Sequence, residues 1–221
     1  MDIDFSPLWD SRWFLLGGLG LTLWLAALTV LCSAVTGTAL GLARCYGSRW
    51  LTVPLVFYID SMRAIPVLVL LVWVYFAAPL VIGVHFPPFW AALIALTMQI
   101  AAYVAEIVRA GVESIRPGQI RAGLALGMSR VQIVRKVVLP QALVRMLPAF
   151  GSILSITIKD TAIAAVIAVP ELMKRAETVA GQSYRPLEVF TFAMLVYFII
   201  LFPGTRMVDR LYRRVAHLGR S

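Results

Sequence analysis

The sequence predicts an all-α integral membrane protein with about five transmembrane helices, and three observations carry that prediction. Hydrophobic residues make up 61% of the chain against 14% charged, with a mean hydropathy of +0.87, an apolar load that a soluble 24.4 kDa domain cannot hide. Charge-free stretches recur at lipid-crossing length, about 20 residues each. The Lys and Arg residues gather in alternate loops, the asymmetry that orients a chain in a bilayer. The net charge of +9 would suggest nucleic acid in a soluble protein; here it reflects the loops, and no nucleic-acid partner is expected.

The elements follow in chain order. The opening MDIDFSPLWDSRW has no basic region and no cleavage site, so no signal peptide is expected. Residues 13–43 carry no charge and hold the first span, about 14–43, with Gly37-x-x-x-Gly41 as a close-packing surface near its end. Residues 50–59 are apolar but too short to cross, which predicts an interfacial elbow. Residues 64–105 are charge-free for 42 positions, too many for one helix, and Gly83 to Pro88 divides them into spans of about 64–82 and 89–110. A polar, basic loop, 111–145, comes next, then a fourth span of about 146–169 interrupted by Lys159-Asp160, then a fifth of about 188–205. Most of the six tryptophans fall near predicted span ends, as an interfacial aromatic belt requires. Cys32 lies inside an apolar run, where packing is its expected role, and with Cys45 it gives neither metal-ligand spacing nor a disulfide framework.

Counting Lys and Arg sets the orientation. With the N-terminus outside, fifteen of the twenty fall on the cytoplasmic side: Arg44, Arg49 and Arg63, seven from Arg109 to Arg145, and five from Arg206 to Arg220. Only Arg12, Lys174, Arg175 and Arg185 fall outside, and Lys159 belongs to neither side. The loop is therefore expected in the cytoplasm.

That loop contains PGQIRAGLALGMSRVQIVRKVVLP, residues 117–140. Pro117 suits a first helical turn, and Ile120, Leu124 and Met128 recur every four residues, which predicts a short amphipathic helix stopped by Gly127. Ser129 with Gln132 three residues on reads as the cap of a second short helix running to Val138, before Leu139-Pro140. Small residues at Ala122 and Gly123 would admit a partner's backbone. Taken alone, the spacing fits a protein-docking knob and a hairpin resting on anionic lipid equally well.

Two charge groups stand out. Lys159 lies 13 residues past Met146, about 20 Å along a helix and hence at mid-bilayer, where a charge faces a bundle interior or a water-filled path. With Asp160 and Thr161 it forms a candidate substrate path suited to a zwitterion, although neighbouring helical residues point about 100° apart and serve different partners. A structural ion pair is the competing reading. Glu106, Arg109 and Glu113, at spacings of three and four, share a helix face and read as structural ion pairs. His85 and His217 have no ligand companion, so no metal is expected; there is no Gly-rich phosphate loop and no catalytic motif.

The small pair Ala122-Gly123, then Gly127, nine residues, Val137, and Leu139-Pro140 resemble the EAA loop of ABC-importer permeases. Arg63 to Pro66, Ala101 to Gly111, Lys159-Asp160-Thr161, Glu171-Leu172-Met173 and Arg185 to Glu188 extend the resemblance over nearly the whole chain, to the polar amino-acid uptake permeases. The resemblance implies the type I importer fold in a bacterial inner membrane, with the loop coupling to a cytoplasmic ATP-binding subunit that holds the ATP and magnesium. It further implies dimerisation with itself or a sister permease, and an extracytoplasmic binding protein delivering a polar amino acid, with glutamate or aspartate among the candidates. Arg121 and Gly123 depart from the family's usual Glu and Ala, and Ala162-Ile163 from its Ser-Leu. An ion-coupled secondary transporter or channel subunit is the alternative, without the internal repeat such proteins commonly show.

Overall fold

The computed structural model describes residues 4–215, all helix and connecting turns with no strand among them; His217 and Arg220 lie outside the described residues. A short helix α1 (Ser6–Asp10) leads into α2 (Arg12–Tyr46), then α3 (Arg49–Ala64) and α4 (Val67–Ile82). After them come α5 (Pro88–Glu113), α6 (Pro117–Ala125), α7 (Arg130–Ile167), α8 (Leu172–Ser183) and α9 (Pro186–Val215). Helices α2, α5, α7 and α9 are each long and apolar enough to cross a membrane, and α3 with α4, bent by 106°, passes the same test as a pair, bringing the number to five.

Helix α5 is the centre of the bundle and packs most extensively on α2. The closeness depends on glycine. A Cβ on Gly37 would lie 2.6 Å from the Ala101 carbonyl oxygen, and one on Gly41 would lie 2.7 Å from that of Ala105. Small residues, including Ala91, Ala92, Ala95, Ala102 and Ala105, line the facing surface of α5 and are all buried, so the backbones approach as membrane helices require when packing alone drives association. Cys32, by contrast, is exposed on α2, facing the surroundings of the bundle; the packing role expected for it is not realised.

The α3–α4 elbow forms at Ile65-Pro66. Pro66 has no N–H and drives Ile65 into extended backbone (φ −77°, ψ 130°), which frees carbonyls inside an apolar bundle. Gln99 on α5 satisfies them: its amide nitrogen donates to the Ile65 carbonyl at 2.7 Å and the Met62 carbonyl at 3.4 Å. Gln99→Leu should therefore leave buried carbonyls dry, at a cost of about 1–3 kcal/mol. A thermal unfolding scan in detergent should show a lowered midpoint, and an unchanged one would refute this role.

Two helices widen to i→i+5 turns, at Trp73–Ala77 and Val134–Val138, just ahead of Pro79 and Pro140. A proline ring clashes with the carbonyl four residues back, and one wide turn moves that carbonyl aside without ending the helix. This corrects two sequence expectations. The second loop helix does not end at Val138 but continues through Leu139-Pro140, and the helix carrying the fourth span does not start near Met146 but is the continuation of that same helix. At Asp160 the α-helical winding gives way to a 3-10 segment, Thr161–Ile167, the place where the sequence suggests an interruption.

Candidate functional site

The loop is a closed unit at one end of the bundle, here termed the loop end. Helix α6 terminates on Gly127, whose φ of +74° lies in the left-handed region. The Met128 N–H donates to the Gly123 carbonyl and the Gly127 N–H to the Leu124 carbonyl, each at 3.0 Å, the paired closure of a Schellman turn. One residue later a capping box starts α7: the Gln132 N–H donates to the Ser129 hydroxyl at 3.3 Å, and the Ser129 N–H donates to the Gln132 side chain at 2.8 Å. Buried Ile115, Ile133 and Val138 form a small core beneath, with Val112, Met128 and Val137 packed against it.

This arrangement separates the six loop residues singled out by spacing. Ala122, Gly127, Leu139 and Pro140 are exposed, whereas Gly123 is buried and a Cβ there would sit 2.9 Å from Ile133 Cγ1. Gly123 thus serves the loop's own packing, not the approach of a partner, and Val137 is half-buried against the same core. The outer surface instead presents Leu124, Leu126 and Val131 beside the exposed Arg121 and Arg130, an apolar patch rimmed by cations.

At the same end, Glu106 collects arginines from three helices. Arg44 of α2 donates to it at 2.7 Å, Arg109 of α5 through Nε at 3.2 Å, and Arg63 of α3 lies at 3.8 Å. Arg109 also pairs with Glu113, and Arg63 with Asp60 at 3.7 Å. Sequence spacing showed the α5 members alone; Arg44, 62 positions away, carried no signal. A cavity of about 320 Å³ adjoins the cluster, with Arg63, Tyr103, Glu106 and Arg145 in its wall. Arg145 donates to the Ser114 carbonyl, and Gln141 donates to the Gln119 side chain at 2.6 Å, so α7 is tied to the root of the loop.

Lys159, Asp160 and Thr161 do not converge. Lys159 is exposed and lines a groove between α7 and α9. Asp160 is half-buried. Thr161 is fully buried, its hydroxyl donating back to the Ile158 carbonyl at 2.7 Å. Its hydroxyl therefore faces the bundle rather than a path.

At the opposite end, Glu171 caps α8 from a fully buried position. Its carboxylate accepts the N–H groups of Met173 and Lys174 at 2.9 and 2.7 Å and the hydroxyls of Thr22 and Tyr197 at 3.2 and 3.0 Å, joining α2, α8 and α9. Burial holds its carboxyl above the ordinary carboxylate range, and these donors offset that rise only in part. Arg175 fastens the same helix to α2, donating to the Phe14 carbonyl at 2.6 Å across Gly17 and Gly18. Glu171→Gln, which forfeits charge-assisted bonds but keeps an acceptor, is expected to destabilise the protein by about 1–2 kcal/mol. Equal melting midpoints for the two proteins would show the carboxylate to be dispensable.

Comparison with known proteins places this geometry. Residues 33–217 match a family profile described as "Binding-protein-dependent transport system inner membrane component". The chain is 38% identical over 218 residues to the glutamine transport system permease protein GlnP of Escherichia coli (strain K12), covering 97% of this chain and 99% of that one. It is 36% identical over 215 residues to the octopine transport system permease protein OccM of Rhizobium radiobacter, covering 94% and 88%. Among solved structures, one described as an amino acid ABC transporter with histidines superposes with a TM-score of 0.90 at 30% identity, over 97% of this chain and all of the other.

Proposed function

The chain belongs to the family of binding-protein-dependent transport system inner membrane components, among its amino-acid ABC transporter permeases, and from that membership we propose that it forms half of the translocation path of an ATP-driven importer. In this reading the solute is a polar amino acid, and the 117–140 loop docks a cytoplasmic ATP-binding subunit that holds ATP and magnesium. A second permease, identical or a sister, completes the path, and an extracytoplasmic binding protein delivers the solute. The loop end faces the cytoplasm of a bacterial cell, the N-terminus lies outside and the C-terminus inside, in keeping with the Lys and Arg distribution.

One observation supports the coupling role above the others. The loop's second arm and the face bearing Lys159 belong to a single continuous helix, α7, so Arg130 and Lys159 sit roughly 40 Å apart along it. A displacement imposed on the handle reaches the Lys159 region through unbroken helix, by way of the wide turn at Val134–Val138. The exposed Leu124, Leu126 and Val131 supply an apolar docking surface, and the small core under them lets the handle transmit force as a unit. Nucleotide-driven closure of two ATPase subunits would draw two such handles together and open the far end.

The test is uptake of labelled glutamine, arginine and glutamate into proteoliposomes holding this chain with its ATPase and binding protein. Uptake should require ATP on the loop side. Uptake driven by a proton or sodium gradient without nucleotide would overturn the proposal.

A further inference from the structure

Helices α7 and α9 border a groove of about 270 Å³ in which five polar side chains stand among the apolar Pro148, Ile156 and Val208. Ser152, Ser155 and Lys159 recur at intervals of three and four on α7, and Thr205 and Asp209 at four on α9, so each helix turns one polar face into it. Asp209 lies beyond the fifth span of about 188–205 expected from the sequence; α9 continues past it, and Asp209 lines the groove. Gly151 and Val208 are where the two helices touch, which sets Ser152 at the Asp209 end. Lys159 stands seven residues further along α7, about 10 Å away.

The hydroxyls give the groove a chemical sense. Ser152 donates to the Pro148 carbonyl at 3.3 Å, Ser155 to the Gly151 carbonyl at 3.3 Å, and Thr205 to the Phe202 carbonyl at 2.9 Å. With these back-bonds in place, each hydroxyl oxygen keeps lone pairs that can accept from a donor in the groove. The lane therefore runs from one ammonium, at Lys159, past three acceptors to one carboxylate, at Asp209. Ionisable groups on membrane helices are costly unless they face a bundle interior, pair with one another or border a water-filled path, and the open groove between α7 and α9 fits the last.

We propose that this groove is a solute lane selecting amino acids whose side chain ends in N–H donors, an amide or a guanidinium, over acidic ones. The α-carboxylate lies toward Lys159 and the donor-bearing end toward Asp209. A side-chain carboxylate in that place meets Asp209 and a row of acceptors, which disfavours the glutamate or aspartate that the family resemblance admits. The inference rests on the permease reading and specifies its substrate class.

Thiol chemistry on the assembled transporter tests it. In a Cys32→Ser, Cys45→Ser background, Ser152→Cys is treated with a cationic and an anionic methanethiosulfonate, and the rate ratio is normalised to that of free 2-mercaptoethanol in the same buffer. The normalised ratio should favour the cation by at least about tenfold, as a cleft of one sign focuses the opposite one. Asp209→Asn should abolish that preference, and glutamine or arginine should protect the thiol where glutamate does not. An unreactive Ser152→Cys, a ratio indifferent to Asp209→Asn, or equal protection by glutamate overturns the lane. Should Ser152→Cys not assemble, Ser155→Cys is judged on reactivity and protection by the same criteria. ATP-driven uptake by the wild-type complex separates the two levels: uptake with a failed thiol test rejects the lane alone, whereas absence of uptake rejects the permease reading beneath it.

Discussion

Gly127→Val is expected to leave the chain inserted in the membrane while it loses its ATPase subunit and, with it, all ATP-driven uptake. A Cβ at this position meets nothing within 4 Å, so the defect is not a clash. It is the backbone: at φ +74° a β-branched residue is held in a conformation costing about 1–2 kcal/mol. The strain falls on the two hydrogen bonds that close α6, and relaxing it reopens the turn that sets α6 against α7. The apolar patch of Leu124, Leu126 and Val131 then loses its shape although every residue of it is still present. Gly127→Asn separates shape from chemistry, because asparagine tolerates the left-handed region, and should retain most of the partner. Co-purification of the ATPase with tagged variants reads the result. Equal recovery from Gly127→Val and the wild type would remove the docking role from the loop.

Glu106→Ala is expected to give the largest loss of stability among single substitutions at the loop end. The carboxylate holds Arg44, Arg63 and Arg109, and without it three guanidinium groups face one another between α2, α3 and α5. Breaking a fully buried pair costs about 3–5 kcal/mol. With 23% of the Glu106 side chain exposed, solvent screening should hold the loss below that range. Glu106→Gln keeps an acceptor and should cost less. Arg44→Met in the Glu106→Ala background should restore part of the loss by removing one stranded cation, so melting midpoints from the double-mutant cycle should be non-additive. Strict additivity would mean that the arginines do not act through Glu106.

What could be read from the sequence was local. Gly127 and the Ser129–Gln132 pair encode their turn and cap within four residues, and the charge-free stretches encode the crossings by length. Interactions distant along the chain left no such trace. Thr22 meets Glu171 across 149 positions, and nothing near Thr22 announces a buried carboxylate. Pro140 misled because a proline after a short helix reads as a stop, yet the wide turn at Val134–Val138 carries the helix past it. Gly123 looked like an outward-facing small residue, since spacing cannot show that Ile133 folds back over it. Asp209 falls outside the expected fifth span because charge ends a hydropathy window, even where the helix itself continues along its neighbour.

The central claim is that a separate motor grips this chain through an inward-facing handle on α7. Accessibility of Leu126→Cys, in a background without Cys32 and Cys45, tests it most directly, because Leu126 is 81% exposed at the tip of that handle. A membrane-impermeant thiol reagent should modify it in inside-out vesicles and not from outside intact cells, and binding of the ATPase subunit should protect it. Modification from outside the cell, or full reactivity with the ATPase bound, would contradict the claim.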